Sequence, residues 1–322
     1  MNRQNLENLT EIMVHIGVDQ KMIEVARQSM ESNLPSFEIK GQLPSDRGQL
    51  DIKLSFNRST KSENYFFNRY DLALNKVKPL PDGQKYFVTH EQDGKNLIKS
   101  FQSPGEAVKH LREQEGAAQL LIGKDFKAAV AIGSKEAGSK SIDIQPAHRS
   151  VLASPLTNTF YVNEGKCFKV EQAANLMQGR SVFRDDLVSQ GRVYSIWAKI
   201  DFERPKDKYD NFELKTYNES YKYDLNETLA QFKIAELDDP KKLEKVIADL
   251  KNGNRPVVTV TDATGQVDKL RIQAVPQYRT IDFSDLEGKR MKRESFEKDL
   301  KLDNHLSKGQ RQEVSEKQGM RI

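Results

Sequence analysis

Trp197, Lys199, Lys215 and Tyr217 stand at alternating positions of two segments, SIWAKIDF and NFELKTYN, that read as the arms of one hairpin. Ser195, Trp197, Lys199 and Asp201 share the parity opposite Ile196 and Phe202, and Glu213, Lys215 and Tyr217 answer them on the returning arm. Lys269 and Arg271 extend that face from a later strand. An aromatic ring on a sheet with flanking cations is what a single-strand binder uses, because every base offers a π face and every phosphate needs a countercharge. The run GKRMKR supplies a second set of cations, Lys289, Arg290, Lys292 and Arg293, within reach of phosphate. Against this, Asp201, Glu213 and Glu219 lie on the same face, and Trp and Tyr rings also pack under helices with only their polar tips in water. In NFELKTYNESYKYDL, Tyr217 falls on the polar side of the strand, level with Lys215. Tyr221 and Tyr223 fall beyond it, where they pin the turn into a helix at Leu225.

Catalytic patterns are missing. The five histidines, His15, His90, His110, His148 and His305, are far apart, with no HExxH and no i,i+4 pair, so no metal ligands are assigned. Gly123-Lys124 lacks both the spacing and the Ser/Thr of a phosphate loop. Cys167, the one cysteine, has no histidine near it in sequence and reads as a small buried hydrophobe. Asp185-Asp186 reads as loop charge, and Asp238-Asp239 as carboxylates at a helix start. No catalytic or cofactor-binding residue follows from the sequence, and the expectation is a protein without enzymatic activity; a carboxylate pair assembled in space is the enzyme alternative.

The chain has 322 residues, 51 of them Lys or Arg and 47 Asp or Glu, for a net charge of +4. So balanced a charge neither requires nor excludes an anionic partner. Residues 287–322 hold ten basic and seven acidic side chains, most of that excess. A single cysteine excludes an internal disulfide framework and fits a reducing compartment. The N-terminal MNRQNLENLTEIMVHIGV lacks the apolar run of a signal peptide, and no stretch approaches the ~20 apolar residues of a membrane span, so a cytoplasmic location is expected.

These residues must be positioned by mixed elements. Leu6, Leu9, Ile12, Met13 and Ile16 form one helical stripe, and Met22, Ile23, Ala26 and Met30 a second. Residues 50–56 alternate as a strand, followed by YFFNRYDLAL and KYFVTH. Ser103-Pro104-Gly105-Glu106 is a capping box opening a helix to about Glu113. TFYVNEG reads as strand and turn ahead of a helix ending at Gly179, a weak echo of KYFVTHEQDG ahead of the SPGEAVKHL helix. After the hairpin come a short helix at Leu225–Phe232, a longer one opened by Asp239-Pro240, and the strands PVVTVTD, KLRIQA and YRTIDF. The fold class is α+β, antiparallel sheets with helices on one face and a helix pair at the N-terminus. The expected organisation is an N-terminal unit over 1–132, a flexible Gly/Ser/Lys linker over 133–156, a C-terminal unit over 157–286 and a charged tail over 287–322.

NLMQGRSVF, SIWAKIDF, LKNGNRPVVTV and AVPQYRTIDF together resemble a domain family of Bacteroidota found in conjugative and other mobile-element proteins, across roughly residues 1–75 and 157–285. Relative to shorter members, residues 78–156 read as an insertion, and Lys222 in SYKYDL stands where a glycine is expected before the aromatic. The family has no established activity, so the resemblance assigns no functional residue. It implies a bacterial cytoplasmic protein of a mobile element. The leading expectation is a non-catalytic binding or adaptor module with protein partners from the element or its host and no membrane association. The alternative is a single-stranded nucleic-acid accessory factor acting through Trp197, Lys199, Lys215, Tyr217 and Arg271.

Overall fold

The two N-terminal stripes form α1 (Arg3–His15) and α2 (Gln20–Glu31), whose first turns are capped by the side chains of Asn2 and Asp19. Both helices bury their apolar faces against the sheet that follows. Three antiparallel strands come next, β1 (Ser36–Leu43), β2 (Gln49–Arg58) and β3 (Tyr65–Asn75). Along β2 the alternation puts Leu50, Ile52, Leu54 and Phe56 inward, while Asp51 and Lys53 look out. Gly41 in β1 lies close under Met22, whose Sδ would stand 2.9 Å from a Cβ there, so a side chain at this position would displace the flexible end of Met22. Buried tyrosines keep their hydroxyls satisfied, Tyr65 donating to the Leu34 carbonyl and Tyr70 to that of Phe168.

This computed structural model describes residues 2–92, 94–163 and 167–298. Between β3 and its partner strand lies a module with a sheet of its own, made of β4 (Lys85–Gln92), β5 (Lys95–Phe101), β6 (Ala118–Gly123), β7 (Val130–Lys135) and β8 (Asp143–Ile144), in the order β5-β4-β6-β7-β8. Helix α3 (Pro104–Glu113) covers it through Ala107, Val108 and Leu111, which share a core with Tyr86, Val88, Leu120, Ile132 and Val151. The chain then returns as β9 (Leu156–Tyr161), which pairs with β3 from Arg69↔Tyr161 to Leu74↔Leu156, and α4 (Val170–Met177) packs on β3 and β9. The residues between β3 and β9 are thus an excursion between two neighbouring strands.

Two expectations are corrected here. Residues 133–156 are ordered, not a linker: Gly133 pairs with Ile144 across the β7–β8 hairpin, and Val151 is buried in a 3-10 turn over Pro146–Leu152. Nor does a unit begin at 157, because β9 completes the first sheet.

Further on come β10 (Val182–Ser189), β11 (Arg192–Ile200) and β12 (Leu214–Asn218) in one sheet, in that order, then α5 (Leu225–Ala230) and α6 (Pro240–Lys251). The last sheet joins β13 (Val257–Thr261), β14 (Val267–Val275), β15 (Thr280–Ser284) and β16 (Arg290–Met291), all antiparallel. The chain divides into two compact units: the first holds residues up to 180, 186–194 and 198–215; the second holds 181–185, 195–197 and the described residues from 216 on. The second has its own core of Leu225, Leu229, Phe232, Val246, Leu250, Val258, Ile272 and Phe283. The charged tail is folded at its start, where β16 pairs with β15 and Phe296 is 3 % exposed beside Phe283. The rest of the tail, 299–322, and His305 within it, lie outside the described residues.

Lys222 caps a 3-10 turn with φ at +54°, a left-handed conformation that crowds a Cβ. A glycine is therefore tolerated better at this position. Lys222→Gly is expected to raise unfolding stability by about 0.5–1 kcal/mol, the relief of that crowding less the extra freedom glycine gives the unfolded chain. Chemical denaturation checks it, and a loss of stability would show that the lysine side chain makes a compensating contact.

Candidate functional site

The polar face of the first sheet does not open freely to solvent in the first unit. Helix α3, the end of β5 and residues 152–155 lie over it, enclosing an open cleft of about 1360 Å³. That exceeds the ~300–1,000 Å³ of small-ligand pockets and suits a longer chain. Its floor carries Lys40, Asp51, Lys53, Arg69 and Asp71, and its other walls carry Lys99, Glu106, Lys109, His110, Glu113 and Tyr209. The strands β1 and β5, each at the end of its sheet, both contribute to the lining, so strand edges border the cleft.

Many of these charges are already engaged. Lys53 lies 3.1 Å from Glu38 and 3.2 Å from Asp71, and Asp71 also accepts from the Thr159 hydroxyl. Burial works against the Lys53 ammonium, but these carboxylates outweigh it and hold its pKa above the ordinary value. Lys40 pairs with Glu106. Burial, with the Lys99 charge adding to it, lowers the pKa of His110 below its ordinary value. Arg69, Lys99 and Lys109 have no ion pair among the described residues, so the charge left over for a ligand is positive.

At the root of the cleft sits Asp51. Its carboxylate accepts from Gln49 Nε2 and Asn75 Nδ2, both at 2.8 Å, and from Ser103. Ser103 was expected to cap α3 through a capping box, yet its side chain makes no cap hydrogen bond, and Glu106 turns to Lys40 instead. Both residues therefore tie the inserted module to the first sheet. Burial raises the Asp51 pKa; the three hydrogen bonds oppose the shift and the Glu106 charge adds to it. The same environment pushes the Tyr86 phenol up to about 12, through its own burial and the Asp51 charge.

The hairpin residues do not form the stacking platform their parity suggested. Residues 196–198 of β11 are buried on both faces, and Trp197 is only 4 % exposed. Its ring meets Phe183 at 5.3 Å and Tyr223 at 5.4 Å within the second core, where no base can reach it. Tyr217 packs against the same core and meets Tyr221 edge-on at 5.0 Å. Tyr221 and Tyr223 pin their corner as anticipated, donating to the carbonyls of Gln277 and Thr280. Lys199 and Lys215 belong to the first unit. Lys215 is spoken for by Asp201 at 3.1 Å and Glu203 at 3.7 Å. Burial pushes the Asp201 carboxyl up, but the hydrogen bonds from Lys215 and the Glu203 N–H and the charges of Lys215 and Arg204 prevail, leaving it below its ordinary range. Arg271 lies on the outer side of β14, and Lys289, Arg290, Lys292 and Arg293 lie on and around β16.

Reasoning from sequence missed Asp51, Arg69, Lys99 and Lys109. Asp51 and Arg69 were visible only as outward positions of alternating strands; nothing local announced that α3 would be laid over them. Among the described residues no group of three or more His, Cys, Asp or Glu is placed to hold a metal ion, and no helix is long and apolar enough to cross a membrane. The fold and cleft define an α+β protein with a charged cleft in its first unit. Comparison with protein-family models, curated proteins and solved structures returns no significant match.

Proposed function

We propose that the protein is a non-catalytic binding or adaptor module of a bacterial mobile element, and that the cleft of its first unit receives an extended acidic segment of a partner polypeptide. The observation that carries this reading is the cleft's charge pattern: among the described residues Arg69, Lys99 and Lys109 have no ion pair, while Asp51, Asp71, Glu106, Glu113 and Asp210 line the same walls. A nucleic acid, with a phosphate at every nucleotide, is set against these carboxylates, some of them ion-paired, as well as against the cations. A polypeptide can set its few acidic side chains opposite the free cations and its amides along the bordering strand edges. The mobile-element context and a cytoplasmic location rest on the family resemblance.

The test is affinity capture from the native host with the parent chain and with Arg69→Glu/Lys99→Glu. Both sites are exposed, so the variant is expected to keep the parent's circular dichroism spectrum. A partner captured by the parent is expected to be lost at least tenfold with the variant, since like charges are set against each other. Equal recovery would remove the cleft from the interaction.

A further inference from the structure

The sheet of the second unit has an apolar inner side and a cationic outer side. Leu270, Ile272, Ala274, Ile281 and Phe283 face the core, and the intervening residues face away from it. Register sets Arg271 opposite Ser284 and Ser284 opposite Arg290, a row running across three strands. Lys269, two residues along β14, pairs with Thr259 on the same side.

At the far end of β14, the 3-10 turn Pro276–Tyr278 leaves the ring of Tyr278 in solvent, 69 % exposed. Tyr278 shares a depression of about 510 Å³ with Asp282, Arg290, Lys292, Arg293 and Glu294. Arg290 meets Asp282 through Nη2 at 2.9 Å, and Arg293 meets Glu294 through Nε at 3.3 Å. Each guanidinium has further N–H donors beyond those contacts, and Lys292 has no ion pair among the described residues.

We propose that this outer face binds single-stranded nucleic acid. Tyr278 stacks on one base, and Arg290, Lys292 and Arg293 take the adjoining phosphates. Five cations, counting Lys269 and Arg271, stand against the carboxylates of Asp282 and Glu294, a larger cationic excess than in the cleft. An exposed ring beside a cationic sheet face serves an unpaired base, whose π face is free; in a duplex that face is stacked away. This site is independent of the cleft in the first unit.

The experiment is fluorescence anisotropy of a labelled oligo-dT with the full chain, at low salt and across a salt series. Salt-sensitive binding is expected. Tyr278→Ala should weaken it about 5- to 150-fold, as losing one stacking partner does, while Tyr278→Phe should bind like the parent. Lys292→Ala should shallow the slope of log affinity against log salt by about 0.7, the share of one single-strand phosphate contact. Tyr278 is exposed, so circular dichroism of the alanine variant should match the parent. The proposal is overturned if no salt-sensitive binding appears, if Tyr278→Ala binds as well as the parent, or if a duplex or a poly-glutamate peptide competes as well as unlabelled oligo-dT.

Discussion

Trp197→Ala is expected to destabilise the second unit by about 3–5 kcal/mol, as removal of a large ring from a packed core does. The indole is held between Phe183 and Tyr223 in a core that also contains Phe232, Val258 and Ile272. Phe183 is itself covered by the Lys251 ammonium, 4.7 Å from its ring centre, so the gap left by the indole is bounded by side chains already committed elsewhere. Collapse around the gap is therefore limited, and the cost sits in the upper part of the range. Domains of this size are stable by ~5–15 kcal/mol in total, so one substitution removes a large share. Circular dichroism in denaturant measures it. Because the chain has a single tryptophan, parent fluorescence reports on this site alone and should be blue-shifted until unfolding. A surface stacking residue would behave oppositely, with a loss within about 0.5 kcal/mol and emission already at the wavelength of solvated indole.

Asp51→Ala is the second substitution with a large expected effect, about 2–3 kcal/mol at neutral pH. Gln49 and Asn75 are both buried, and with Ser103 they lose a shared acceptor. Gln49 keeps its bond to the Gln102 carbonyl, so the penalty falls chiefly on Asn75 and Ser103. Asp51→Asn should recover most of the loss, since a half-turn of the Asn75 amide restores a donor–acceptor match. The pH dependence separates the two variants from the parent. With the folded pKa raised, the folded state of the parent binds the Asp51 proton more readily than the unfolded chain does. The parent should therefore gain stability from this group as pH falls through the raised folded value toward the unfolded one near 3.9. Both variants should lack that gain. A parent profile that loses the same stability as its variants over that window would contradict the burial of the Asp51 charge.

Much of the fold was legible in the sequence, and the reason is local. The helical stripes at Leu6–Ile16 and Met22–Met30, the alternation of β2 and the Asp239-Pro240 start of α6 each obey a period or cap that a neighbour cannot override. The hairpin of β11 and β12 was legible too, but the side its residues face was not. Alternation assigns two sides to a strand without saying whether one or both are covered, and for 196–198 both are. The tail misled because its charge hides one aromatic: Phe296 anchors a segment that otherwise reads as solvated. The linker expected over 133–156 misled because Gly and Ser serve a hairpin turn as readily as a linker. The cleft could not be read at all. Its walls come from residues brought together only when β9 returns to pair with β3 and leaves the inserted module standing over the sheet.

Whether the cleft receives a partner's acidic segment, as proposed, is decided by site-directed photocrosslinking in the native host. A photoreactive residue in place of Lys109 lies in the cleft, and one in place of Lys127 is exposed outside it. A discrete crosslink is expected from position 109 to one polypeptide, mapped to an acid-rich segment, absent from position 127 and abolished by Arg69→Glu/Lys99→Glu. Crosslinks that are the same from both positions, that persist in the charge-reversed chain, or that join position 109 to nucleic acid would contradict it.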